Sequence, residues 1–156
     1  MATRCGDIDP AIVLQMLRAG LAVDEIDAQL NRRSGLLALS GRKDMRDILA
    51  AEAQGDDQAR LAIEVFVHRI VLTVGAYFTL LEGRGALIFG GGIGTHSPEI
   101  RARVAAALSA WNVNLDPELN TQNAPGRISV SGARGVYVFR TNEEHLIARE
   151  LARLLR

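Results

Sequence analysis

Ala86-Leu87-Ile88-Phe89-Gly90-Gly91-Gly92-Ile93-Gly94-Thr95-His96-Ser97-Pro98-Glu99-Ile100 is the stretch that decides how this chain reads. A short apolar strand runs into four glycines within five residues. Ser97-Pro98 then reads as an N-cap followed by proline at the first helical position, and an amphipathic run continues through Trp111. The order is strand, glycine-rich turn, helix. Glycines there let the backbone take positive φ and approach a ligand closely. The helix N-terminus behind them offers unpaired N–H groups and a positive dipole end, which suits an anion or the polar edge of a nucleotide. The stretch has neither the Lys-Ser/Thr pair of a phosphate loop nor a G-x-G-x-x-G spacing. A plain strand-to-helix turn therefore stays open beside the ligand-holding one.

Working outward, 156 residues with 48% apolar and 23% charged content fit one domain with a real core. Eighteen basic and eighteen acidic residues cancel, which argues against nucleic acid or an anionic membrane as the main partner. The single cysteine, Cys5, excludes an internal disulfide and fits a reducing compartment. Met1 to Asp7 contains no apolar signal-peptide region. The most hydrophobic window, Leu61 to Leu81, carries Glu64, His68 and Arg69. Charged groups cost about 2.5–3.5 kcal/mol each at bilayer depth. The window is therefore read as a helix buried on most sides in protein, and the chain as soluble and cytoplasmic.

The N-terminal part reads as helices. Asp9-Pro10 caps and starts one that Gly20 stops. A second covers Val23 to about Arg32, acidic early and basic late as the helix dipole prefers. Ser34 to Gly41 reads as an apolar connector between Ser-Gly turns. Asp44 caps a third helix to about Gln54, and Gly55-Asp56-Asp57 breaks it and caps a long one, roughly Asp57 to Leu81. Past Trp111, Asn112 to Gly126 is loop-rich, Arg127–Val130 and Gly135–Arg140 are strand candidates, and Thr141-Asn142 start a C-terminal helix. So few, short strands leave exposed sheet edges, which suggests the latter part of a larger α/β domain.

Several residues carry chemistry in one reading and plain structure in another. Arg4 suits an anionic group through its planar fork; alternatively it forms a surface pair with Asp7. Asp44 caps a helix whether or not Asp44-Met45-Arg46 meets a nucleotide. Thr141 and Glu144 form a capping box, which leaves Glu143 on the first turn after a strand, where a carboxylate can orient magnesium. His68 reads as a core or interface histidine, His96 as exposed and His145 as surface. No His/Cys cluster has zinc spacing, and no nucleophile–base arrangement is evident.

Taken together, Met1 to Pro10, Ser34-Gly35-Leu36-Leu37 with Leu39-Ser40-Gly41, and Asp44-Met45-Arg46-Asp47-Ile48 resemble successive blocks of the acetate kinase (acetokinase) family. Phe89 to Gly94, Arg127-Ile128-Ser129 and Thr141-Asn142-Glu143-Glu144 continue the family's order, so the resemblance covers essentially the whole chain. It implies an α/β fold that is part of an actin-like, ribonuclease H-like domain of the acetate and sugar kinase/heat-shock/actin superfamily, helix-rich with a small mixed sheet. On the family's plan, residues 1–156 are the C-terminal part: most of the second half of the nucleotide-side domain plus the C-terminal helix.

The resemblance further implies phosphoryl transfer between ATP and acetate, giving acetyl phosphate and ADP, with Mg2+. Arg4 matches the arginine that stabilises the transferring phosphoryl group. Asp44, Met45 and Arg46 match a segment contacting adenosine, and Gly92, Ile93 and Gly94 match the start of the glycine loop at the same moiety. Where the family usually continues that loop Gly-Glu-Asn, this chain has Gly94-Thr95-His96, so Thr95 and His96 join the expected nucleotide contacts. Glu143 matches the magnesium-associated acid. The family's acetate pocket, catalytic aspartate and histidines, a further substrate arginine and phosphate-binding loop all precede the matched blocks. The chain is accordingly expected to bind nucleotide weakly and to be inactive alone. It would work with acetate or acetyl phosphate only beside an N-terminal half, as a homodimer or with a separate half as partner. Two other readings are a non-catalytic dimerising or partner-binding module and a fragment of a propionate or butyrate kinase.

Overall fold

The computed structural model describes residues 1–140 and 143–154, without the side chains of 143–147. Two compact units result, Met1–Arg69 and Ile70–Arg156.

The first unit is helical: α1 (Pro10–Arg18), α2 (Val23–Arg32), α3 (Gly35–Ser40), α4 (Met45–Ala53) and the start of α5 (Asp57–Leu80). Local chemistry sets the helix starts. Asp9 accepts a hydrogen bond from the Ala11 amide at 2.8 Å and Asp44 from the Arg46 amide at 2.9 Å. The long helix is capped by Asp56, whose Oδ1 takes the Gln58 and Ala59 amides, so the polar break before it is a cap in practice. Gly20 adopts φ +85° where α1 stops.

One segment departs from expectation. Ser34–Gly41, read as a connector, contains α3, which buries Leu36 and ends on Gly41 at φ +70°. Six residues are too few to show helical periodicity, and the flanking Ser-Gly pairs carry the stronger local signal. The N-terminal segment before α1 has no regular structure but is pinned. The carbonyls of Met1, Ala2 and Thr3 accept from the amides of Leu36, Leu37 and Ser34, and the Cys5 amide donates to the Leu30 carbonyl.

The second unit holds a three-stranded mixed sheet in the order β1 (Leu87–Phe89), β3 (Val136–Val138), β2 (Gly126–Arg127). β1 runs parallel to β3 with Ile88 opposite Tyr137, and β2 runs antiparallel with Arg127 opposite Tyr137. Phe89, Val136 and Val138 face a core shared with Ile100, Val104, Leu108, Val113 and Ile128. The strands are shorter than the sequence suggested: Ser129 makes only an isolated bridge to Leu115. β1 leads into α6 (Gly91–His96) and α7 (Pro98–Ala107). One 3-10 turn (Ser109–Trp111), α8 (Pro117–Thr121) and, near the C-terminus, α9 (Glu143–Leu154) complete the unit. The entry to β1 is fixed by Arg134. Its guanidinium donates to the carbonyls of Trp111 (2.9 Å), Gly85 (3.0 Å) and Gly83 (2.6 Å) and lies 4.3 Å over the Phe78 ring.

The long helix corrects a second expectation. α5 is long and apolar enough to cross a membrane, and only 22% of its most apolar window is buried. It was expected to be buried on most sides. Instead it covers Ala59, Ala62, Ile63 and Phe78 and leaves Leu61, Leu72, Tyr77 and Leu80 exposed. His68, read as a core or interface histidine, is exposed on this chain, which excludes the core half of that reading. Composition reports how apolar a helix is, whereas burial depends on which stripe has something to pack against.

Candidate functional site

Arg4 is presented by a braced backbone. Gly35 takes φ +63°, and a Cβ there would overlap the Met1 carbonyl oxygen and come within 2.9 Å of Arg4's. Only glycine lets the start of α3 lie this close to the N-terminal segment. The Arg4 side chain is exposed, and among the described residues it makes no hydrogen bond or ion pair. The surface pair considered for it does not form, because Asp7 is taken by Arg69 at 2.6 Å. The result is an uncommitted cation on a fixed backbone.

Asp44-Met45-Arg46 opens α4 in the same unit. Met45 is buried, so its side chain belongs to the core. The exposed Arg46 guanidinium folds back on Asp44, with Nε to Oδ1 at 3.0 Å and Nη2 to Oδ2 at 2.6 Å. Those bonds, with the backbone amide of Arg46, hold the Asp44 carboxyl at about 2, well below the usual carboxylate range. The pair is therefore neutralised, and the planar Arg46 guanidinium stays exposed to solvent.

In the second unit, the glycine-rich turn after β1 is itself a short helix, α6, entered through Gly90. Gly91 carries φ +67°, which favours glycine, and a Cβ on Gly94 would press to 3.3 Å on the Phe89 carbonyl carbon. Gly92 is different. It is exposed, and open space surrounds the position of its missing Cβ. Ile93 and Gly94 are half-buried and His96 is exposed, as expected. Thr95 is buried, with its hydroxyl 3.4 Å from the Phe139 carbonyl. Ser97 accepts the Ile100 amide at 3.4 Å and starts α7, as its sequence position predicted.

Glu143 begins α9, but its side chain lies outside the described residues, as do those of Glu144 and His145; Thr141 is likewise outside them. Among the described residues no group of three or more His, Cys, Asp or Glu gathers as a metal cage. Magnesium commonly takes only one or two protein carboxylates beside a substrate's phosphates, so it does not require such a cage.

Sequence reasoning missed Arg101, which looks like an ordinary helical charge at its position in α7 and is wholly buried. The available signal was the Asn/Gln-rich stretch from Asn112 to Gly126, which supplies part of its hydrogen-bonding shell.

The fold recurs in kinases of short carboxylates. A propionate kinase from Francisella tularensis subsp. tularensis SCHU S4 superposes with a TM-score of 0.89 at 38% identity, over 96% of this chain and 39% of that one. Porphyromonas gingivalis acetate kinase gives 0.88 at 32%, over 100% and 40%. Among curated proteins, the acetate kinases of Leifsonia xyli subsp. xyli and Moorella thermoacetica are 46% and 45% identical over 96% and 99% of this chain. The acetokinase family model matches residues 1–149. The chain belongs to the acetokinase family. It spans about 40% of the length of the curated relatives it matches.

Proposed function

We propose that the chain is the C-terminal, nucleotide-side portion of an acetate kinase, comprising most of the second half of that domain and the C-terminal helix. In the complete enzyme one acetate oxygen forms the new bond to the γ-phosphorus of ATP. The bond to the bridging oxygen breaks, and its electron pair leaves on ADP. The observation that carries this reading is the Arg4 guanidinium, unengaged among the described residues and standing on a backbone that Gly35 locks in place. A cation preset where the equatorial phosphoryl oxygens gather charge needs no reorganisation when the bond breaks.

The nucleotide side is assigned by the same reasoning. Asp44, Met45 and Arg46 hold the adenosine, Arg46 by the face of its neutralised fork and the buried Met45 through its backbone. Gly92, Ile93, Gly94, Thr95 and His96 are likewise nucleotide contacts. Gly92 offers bare backbone, Thr95 acts through main chain because its side chain is buried, and the exposed His96 supplies a ring that stacks or donates. Glu143 is the acid that orients magnesium, which when bound with ATP neutralises phosphate charge. The acceptor site is contributed by the remaining length that the relatives possess. We further propose a cytoplasmic protein that needs no nucleic acid or membrane partner.

The test is acetyl phosphate formation from ATP and acetate, by this chain alone and with an N-terminal acetate kinase half supplied in trans. Activity only with both parts is expected. Turnover by the chain alone would show that no essential group lies outside it. Propionate and butyrate belong in the same assay, because the Francisella propionate kinase superposes so closely. A second reading, a dimerising or partner-binding module, rests on the exposed Leu72, Tyr77 and Leu80 of α5. It gains if no activity appears in either format while light scattering reports a stable dimer.

A further inference from the structure

Arg101 is wholly buried and uses every donor it has. Nε donates to Asn120 Oδ1 at 2.7 Å, and Nη1 to the carbonyls of Gly94 and Thr95, both at 2.9 Å. Nη2 donates to the Asn120 carbonyl at 2.5 Å and to Asn123 Oδ1 at 2.7 Å. A guanidinium carries five N–H groups, so none is left over. All five acceptors are neutral, and no carboxylate pairs with Arg101 among the described residues. Burial alone pulls its pKa below the ordinary guanidinium value.

Keeping a buried charge without a counter-ion costs stability, so the return lies in what the group holds in place. Two of its acceptors are carbonyls from the last turn of α6, which its own helix would leave unpaired. A cation there also matches the negative end of the helix dipole. The other acceptors come from α8 and from Asn123, which sits in the left-handed region at φ +52°. Asn120 closes the network by donating from Nδ2 to the Pro98 carbonyl at 2.9 Å, at the start of α7. One planar fork thus ties α6, α7, α8 and the residues after it into a single geometry.

We propose that Arg101 is the positioning residue of the nucleotide site, fixing the orientation of the glycine-bearing helix α6 without touching the ligand. The proposal rests on the reading that Gly92–His96 holds ATP. Lysine at this position keeps the charge but has three donors on one atom, so it cannot span two carbonyls of α6 and three acceptors beyond.

The experiment is magnesium-ATP binding by calorimetry together with amide hydrogen exchange, on the whole chain and on Arg101→Lys and Asn123→Gly. Arg101→Lys is expected to weaken ATP binding about tenfold or more and to speed exchange at Gly91–His96 while β1 and β3 stay protected. Asn123→Gly, which removes that side-chain acceptor and tolerates the positive φ of the position, is expected to shift both readouts in the same direction by a smaller factor. This second variant keeps the test alive if Arg101→Lys fails to fold. Unchanged affinity in a folded Arg101→Lys, or exchange that rises equally throughout the second unit, overturns the positioning role. Absence of ATP binding by the unaltered chain overturns the nucleotide reading of α6, and that failure is visible before any variant is compared.

Discussion

The Arg69 guanidinium donates to the Asp7 carboxylate at 2.6 Å across 62 positions of sequence, and so Asp7 is not spent on Arg4. The pair is solvent-exposed and worth little to stability. Its consequence is chemical, since the nearest acid in sequence does not neutralise the cation proposed to meet the phosphoryl group.

Arg4→Ala is therefore expected to leave folding within about 0.5 kcal/mol of the parent. Phosphoryl transfer in the two-part assay should fall about a thousandfold or more, the scale of a lost transition-state arginine. Thermal melting and acetyl phosphate production on the same sample decide it. Retained turnover removes Arg4 from the chemistry, and a collapsed melting temperature makes it structural.

Gly35→Ala should behave in the opposite way. A methyl group there meets the Met1 and Arg4 carbonyls and forces an alanine into φ +63°. The expected loss is about 2 kcal/mol or more, read as a melting temperature lower by about 4–8 °C. A parent-like melt would mean that the N-terminal segment is not packed against α3.

Gly92→Ala separates ligand approach from folding. Its Cβ meets nothing, and alanine within a helix is favoured over glycine by roughly 0.5–1 kcal/mol. Stability should be unchanged or slightly raised. ATP affinity should nonetheless drop, because the methyl group occupies the space through which the backbone would reach the nucleotide. Calorimetry showing parent-like affinity would count against Gly92 as a contact.

Asp44 sets a pH dependence. Its folded carboxyl titrates near 2, below the ordinary value near 3.9 of an unfolded chain. A lowered carboxylate pKa gives a contribution that is fully present above about pH 4 and is lost as pH falls toward 2. The first turn of α4 should accordingly loosen in that window. Carbon-detected NMR of the Asp44 carboxyl should give a midpoint near 2 in the parent and a higher one in Arg46→Ala, which removes the guanidinium. A parent midpoint near 4 would mean that the fork is open in solution.

What depends on near neighbours was legible in the residues alone. Asp9, Asp44 and Ser97 cap the helices that follow them because a cap and its orphan amides lie within three residues, and Val23–Arg32 forms the predicted helix with Glu25 reaching back to the Ala22 amide. The ordered blocks from Met1 to Glu144 were enough to indicate the family. Which charges are engaged and which apolar faces are covered follows from contacts distant in sequence. Arg4 has no partner among the described residues, Asp7 goes to Arg69, half of α5 stays exposed, and Arg101 gathers five oxygens from Gly94, Thr95, Asn120 and Asn123. An arginine has the same local signature on a solvated face as in a buried shell. Its fate is set by carbonyls up to 22 positions away, whose convergence no local periodicity encodes. The glycine stretch from Gly90 to Gly94 shows both halves of this. Its composition announced a special turn, and the Arg101 shell beneath it fixes where that turn points.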